Sequence, residues 1–214
     1  MQTLFESSRY LVTAGGDPSL QPVVTFHPRR DVPGIERHRN KPWMRKPIEQ
    51  AGYRWIAVTT EQNDWYQHSD MDEAVQAISR FLGGVQPLVF GFSMGGLAAW
   101  QYADALNALA WVGVTPNYNA QPHQSPDDRV LDERKRVQWR ELPAVPTGGH
   151  IILDPMVSAD AWHAKSLARE ASVTIHPYPK AGHSCLVTFT KEGRLAERLA
   201  YHFDWALSSH KLAA

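Results

Sequence analysis

The sequence predicts an α/β protein, a mostly parallel central sheet with helices on both faces. Three observations lead there. Short apolar runs alternate with longer amphipathic ones along the 214 residues, the pattern of strands joined by crossover helices. Several of the apolar runs are rich in Val, Ile, Trp and Phe and carry no interior charge, as strands buried on both faces require. With 43% hydrophobic residues, a chain of this length can fill the core that a two-sided sheet needs.

Strands are expected at residues 10–13, 23–26, 55–59, 88–92, 109–115, 150–153 and 173–175. Residues 27–42 are dense in Arg, Pro and His and read as a loop. The first clear helix opens at Asp70 and Glu73, which stand at capping-box spacing, and closes at Gly83-Gly84. Its Met71, Ala74, Ala77, Ile78, Phe81 and Leu82 follow the helical period and should face the sheet. A second helix follows residue 95 along Gly96-Leu97-Ala98-Ala99-Trp100. Ser158 and Asp160 open a third, expected to run towards Ala171. The last places Leu195, Leu199 and Phe203 on one stripe.

Residues 116–146 begin as a polar loop and continue into a charged stretch, 130–139, expected as an exposed helix; together they make a small cap or lid at most. No repeat or linker divides the chain, so residues 1–210 read as a single domain. Residues 211–214 read as a vector-derived addition.

Lysine plus arginine equals aspartate plus glutamate, 22 against 22. That balance gives no electrostatic case for nucleic acid or an anionic membrane as partner. The single cysteine, Cys185, excludes an internal disulfide and fits a reducing compartment. The N-terminal residues lack the basic start and apolar core of a signal peptide, and no uncharged stretch reaches the ~18 apolar residues of a membrane span. The expected address is the cytoplasm. No H-x-H, H-E-x-x-H, phosphate-loop or G-x-G-x-x-G pattern occurs, so neither metal nor cofactor is expected. Ala14-Gly15-Gly16-Asp17 is a turn.

The segment carrying chemistry is Gly91-Phe92-Ser93-Met94-Gly95, between an apolar run and a helical one. A serine flanked two residues away by glycines, at a strand-to-helix junction, fits a nucleophile elbow. The glycines are needed because the turn is too tight for side chains beside it. The serine oxygen is then presented at the strand's end, next to free amide hydrogens of the helix. A glycine-rich turn with an N-capping serine fits the same five residues, so the reading needs an acid and a base.

Both follow in the chain. Asp154 ends the strand at 150–153, and His183 lies in the loop after the strand at 173–175. Parallel strands put Ser93, Asp154 and His183 on one rim of the sheet, where sites of doubly wound proteins collect. A serine hydroxyl is a weak nucleophile at neutral pH and needs a neutral imidazole to take its proton. The imidazole needs a carboxylate behind it to fix its tautomer. Asp154, before Pro155, could also be a turn or helix-start residue, and Asp127 and Asp128 are rival acids. His176 lies inside its strand and is the weaker base; Cys185 has no elbow around it and reads as a packed thiol.

On Gly91-Phe92-Ser93-Met94-Gly95-Gly96, Leu153-Asp154 and Gly182-His183, the chain resembles the α/β-hydrolase fold superfamily over nearly its whole length. The resemblance implies Ser93 as nucleophile, Asp154 as acid and His183 as base. It also implies that Phe26-His27-Pro28-Arg29 is the loop supplying the second oxyanion donor. The usual His-Gly is His27-Pro28 here, and proline has no amide hydrogen. The Met94 and Arg29 amides are therefore the expected donors. Asn63-Asp64-Trp65-Tyr66, with Ser93-Met94-Gly95-Gly96, is also similar to small bacterial hydrolase-like proteins encoded near surface-polysaccharide genes.

His27, Asn63, Trp65 and Tyr66 are expected to line the substrate side, since aromatic rings beside an amide suit a sugar or an acyl chain. Trp65 and Tyr66 could equally pack their loop, and Arg29 and Arg30 could hold an anionic group or be a solvated face. The expected substrate is a small molecule, an ester or an acylated sugar. Hydrolysis through an acyl-serine, acyl transfer to a sugar hydroxyl, and non-catalytic binding are the functions that remain. The oligomeric state has no sequence signal.

Overall fold

The computed structural model describes residues 1–117, 135–140 and 147–213. Eight strands form one sheet. They are β1 (Gln2–Glu6), β2 (Tyr10–Gly15), β3 (Pro22–Phe26), β4 (Arg54–Thr60), β5 (Leu88–Phe92), β6 (Ala110–Val114), β7 (Gly149–Leu153) and β8 (Val173–Pro177). The order is β1-β2-β4-β3-β5-β6-β7-β8. The β1–β2 and β2–β4 pairs are antiparallel, and every later pair is parallel.

Helices α1 (Glu36–Arg39), α2 (Arg45–Gln50), α3 (Asp70–Leu82), α4 (Met94–Tyr102), α5 (Ser158–Leu167), α6 (Cys185–Lys191) and α7 (Leu195–Ala213) cover the sheet. The interior strands are apolar at successive positions, and the pleat sends alternate residues to opposite faces. Val24, Ile56, Val89, Trp111 and Ile151 pack with α3, α4 and α5. Val23, Trp55, Leu88, Val112 and Ile152 pack with α2, α6 and α7. This is the two-faced sheet that the uncharged runs require.

Every expected strand is present, with β1 added at the edge. Its Gln-Thr-Leu-Phe-Glu sequence is exposed or half-buried throughout, so it lacks an apolar signature. The 27–42 segment contains the short α1. In α3 the side-chain cap is not the expected Asp70–Glu73 box, because the Asp70 amide donates to Nδ1 of His68 (3.2 Å). Gly83 closes that helix in the left-handed conformation, as expected. Helix α5 ends at Leu167, four residues before Ala171.

Of the 116–146 segment, residues 118–134 and 141–146 lie outside the described residues, and with them Asp127, Asp128 and most of the expected helix at 130–139. Its described end is non-helical at residues 137–140, where Trp139 packs against Trp65 (centroids 6.1 Å apart). Residues 211–213, set aside in the sequence, continue α7. Among the described residues, no helix is long and apolar enough to cross a membrane.

Candidate active site

Ser93 stands between β5 and α4 with φ 52° and ψ −114°. That backbone region disfavours any residue with a Cβ, and such conformations persist where surroundings over-determine them. Here the Ser93 amide donates to the Val114 carbonyl (2.9 Å) and its carbonyl accepts from Leu97 (3.2 Å). The flanking glycines are required by contact. A Cβ on Gly91 would lie 1.9 Å from the Gly95 oxygen, and one on Gly95 would lie 2.1 Å from the Phe26 oxygen. The first-turn amides of α4, Met94 included, have no intrahelical acceptor, as at any helix start.

His183 reaches the same spot from the other side of β6. After β8, the Tyr178 amide donates to Leu153 (2.8 Å), and left-handed Lys180 and Gly182 turn the chain. The Thr115 hydroxyl donates to the His183 carbonyl (3.2 Å). Nε2 of His183 then lies 3.3 Å from the Ser93 Oγ. Its Nδ1 faces a carboxylate at 2.8 and 3.0 Å, and that carboxylate is Asp160, in the first turn of α5.

Asp154, the acid expected there, makes other bonds. Its oxygens accept the amides of Met156 (2.9 Å) and Gly182 (2.8 Å). Burial by itself would raise its pKa, but those amide bonds outweigh it and hold the carboxyl below its ordinary range. Asp154 thus fixes the main chain next to His183, while Asp160 fixes the ring. Asp160 is 2% exposed, and in the sequence it reads only as a helix-opening residue. Asn117, the first residue of the expected polar loop, is likewise drawn in: the Ser93 hydroxyl lies 3.2 Å from its Oδ1.

The remaining expected residues fall into two groups. Met94, directly after Ser93, is the first residue of α4, so the helix begins two residues before the expected Gly96. Arg29 lies on the loop that leaves β3 against the elbow, its guanidinium ion-paired with Asp31 (3.2 Å). His27, Trp65 and Tyr66 are buried and do not line an open surface, while Asn63 is half-buried. Trp65 and Tyr66 are 1% and 0% exposed. His27 is buried against His38 and Trp43; burial, reinforced by nearby Arg30 and His38, pushes its pKa down to about 3 despite its bond to the Pro28 carbonyl. Asn63 binds the Arg30 main chain rather than facing outward. The Cys185 Sγ–H donates to Gly182 (3.3 Å), and burial pushes the thiol up to about 12, so it stays protonated. Among the described residues, no group of three or more His, Cys, Asp or Glu is placed to hold a metal ion.

No protein-family model matches the sequence, and no curated protein matches it. Solved structures do match. A monoacylglycerol lipase from Paleococcus ferrophilus superposes with a TM-score of 0.62 at 16% identity, covering 94% of this chain and 99% of that one. A hormone-sensitive lipase from a metagenome library gives 0.65 at 11% identity, over 94% and 82%. The capsule O-acetyltransferase of Neisseria meningitidis serogroup A gives 0.51 at 12% identity, over 93% and 90%. At these identities the likeness is one of fold: the chain has the α/β-hydrolase fold.

Proposed function

We propose that the chain is a serine hydrolase that cleaves a small ester through an acyl-serine intermediate. The observation that carries this reading is the His183 imidazole, with Nε2 3.3 Å from the Ser93 hydroxyl and Nδ1 2.8 Å from the Asp160 carboxylate. In the proposed mechanism Nε2 takes the serine proton as Oγ attacks the ester carbonyl. Asp160 holds the ring in the tautomer that leaves Nε2 free, and stabilises the transient imidazolium. The Met94 and Arg29 amides bind the oxyanion. Collapse expels the alcohol, which receives the proton from Nε2, and water activated by the same imidazole releases the acid. The chain's single, buried cysteine suits the reducing cytoplasm as its compartment.

A second reading has its own support. A capsule O-acetyltransferase superposes over most of both chains, and acyl transfer uses the same machinery with a sugar hydroxyl in place of water. An alkyl fluorophosphonate probe and p-nitrophenyl acetate test both readings against non-catalytic binding. Labelling and ester cleavage in wild type, both lost in Ser93→Ala, are expected. A folded wild type that does neither would sink the enzyme readings. Adding a sugar alcohol acceptor separates the two: O-acetylated acceptor among the products indicates transfer, and acetate alone indicates hydrolysis.

A further inference from the structure

The Asn63-Asp64-Trp65-Tyr66 segment follows β4 at the same sheet edge as Ser93. Asn63 and Asp64 are half-buried and Trp65 and Tyr66 buried, and the side chains of Asn63 and Tyr66 reach one loop. Asn63 Oδ1 accepts the Arg30 amide (3.0 Å) and its Nδ2 donates to the Arg30 carbonyl (2.7 Å). The side-chain amide here satisfies both main-chain groups of one residue, as the facing residue of a neighbouring antiparallel strand would. The Tyr66 hydroxyl donates to the His27 carbonyl (2.8 Å), and the His27 amide donates to Val58 of β4 (3.2 Å). Residues 27 and 30 are therefore each held through their main chains. Only Pro28 and Arg29 lie between them, and the proline ring fixes its own φ.

The segment itself is held open in an uncommon shape. Trp65 and Tyr66 are consecutive non-glycine residues with positive φ, 57° and 60°, a conformation that persists only where neighbours over-determine it. The over-determining group is Asp64: one oxygen accepts the Tyr10 hydroxyl (2.6 Å), and the other accepts the Tyr66 amide (3.0 Å). The Arg30 guanidinium closes the frame by donating to Gly34 (3.1 Å) and Thr60 (2.5 Å). Tyr66 also reaches the helix behind the nucleophile, because its carbonyl accepts the Tyr102 hydroxyl of α4 (2.5 Å).

We infer that Asn63 and Tyr66 are positioning residues that clamp residues 27–30 in register with α4, so that the Arg29 and Met94 amides face one oxyanion. The inference rests on the hydrolase reading above. The clamp matters here because Pro28 cannot donate, so the second donor falls to Arg29, and the two held neighbours together with the fixed proline φ set where the Arg29 amide lies. Oxyanion donors act by being held in place before charge develops, so loosening their frame slows the chemical step and leaves substrate binding nearly unchanged.

The test uses Tyr66→Phe, which keeps the ring and loses only the hydroxyl, and Asn63→Ala, which loses both bonds to Arg30. With p-nitrophenyl acetate, kcat should fall about 10- to 100-fold in each, by analogy with partial loss of an oxyanion donor, while KM stays within about threefold. A trifluoromethyl ketone inhibitor should weaken in proportion to the loss in kcat/KM, and the pH profile should keep its midpoint because His183 is untouched. Folded variants with wild-type kcat overturn the clamp and leave the hydrolase reading standing, as does activity lost only in proportion to unfolded protein. A wild type that neither cleaves the ester nor reacts with the fluorophosphonate removes the hydrolase reading, and the clamp falls with it.

Discussion

Two carboxylates act on the His183 loop from different directions, and the difference in what they touch predicts a difference in what their loss costs. Asp160 faces the ring nitrogen, so Asp160→Asn presents an amide that favours the wrong imidazole tautomer; kcat should fall about 10³- to 10⁴-fold with KM little changed. Asp154 binds the Gly182 and Met156 amides. In Asp154→Asn one of those amides meets an NH2 group, so the expected loss is mainly of stability, with kcat reduced by about tenfold or less. Steady-state rates and unfolding midpoints for the pair decide the matter: a normal Asp160→Asn beside a crippled Asp154→Asn would return the role to Asp154. The sequence made Asp154 the natural choice, because it is the first acid past a strand end on the correct rim. Asp160 was visible only as a first-turn residue of a helix, where an acid needs no further reason than the dipole. What the sequence does not encode legibly is the path of residues 154–157, which lays the first turn of α5 beside the imidazole. Asn117 was hidden similarly, as one polar residue opening a polar loop.

At the scale of the element, the β5–Ser93–α4 junction was the most legible part of the molecule, because its glycines answer to direct contacts that no other residue can satisfy. The interior strands were nearly as clear, since burial on both faces leaves no place for charge. Edges were less so: β1 has exposed positions at both ends, and α6 follows the His183 loop with too few residues to show a period. The junction also makes a prediction about stability. Ser93 adopts φ 52°, which suits glycine and strains a residue with a Cβ. Ser93→Ala and Ser93→Gly should both abolish labelling by the fluorophosphonate, but the glycine variant should be the more stable, by about 1 kcal/mol. Urea unfolding of the two folded variants measures this. If alanine proves the more stable, the elbow is less constrained than its torsion implies.

Across the whole molecule, the face opposite α4 hides a cluster of imidazoles beneath the C-terminal helix. His150 of β7 lies 3.1 Å from His176 of β8, nitrogen to nitrogen, and His202 of α7 lies 2.9 Å from the Tyr178 hydroxyl. Trp205 covers His176 (centroids 4.0 Å apart), and Arg198 lies over the Tyr178 ring. Burial pushes His150 down, His176 down to about 4 and His202 down to about 3, with neighbouring imidazoles adding to the last two. The folded protein therefore keeps these rings neutral at a pH where the unfolded chain, with imidazoles near 6.5, binds protons. Stability from this source is full above pH ~6.5 and declines as pH falls towards 4, by up to about 1.4 kcal/mol per pH unit for each proton taken up on unfolding. The urea midpoint should accordingly fall between pH 7 and pH 4.5. His202→Phe, which removes one of the protons, should make the decline shallower. Equal slopes in wild type and variant would mean that the acid sensitivity arises elsewhere, with His27, pushed down to about 3 on the loop after β3, the next group to replace.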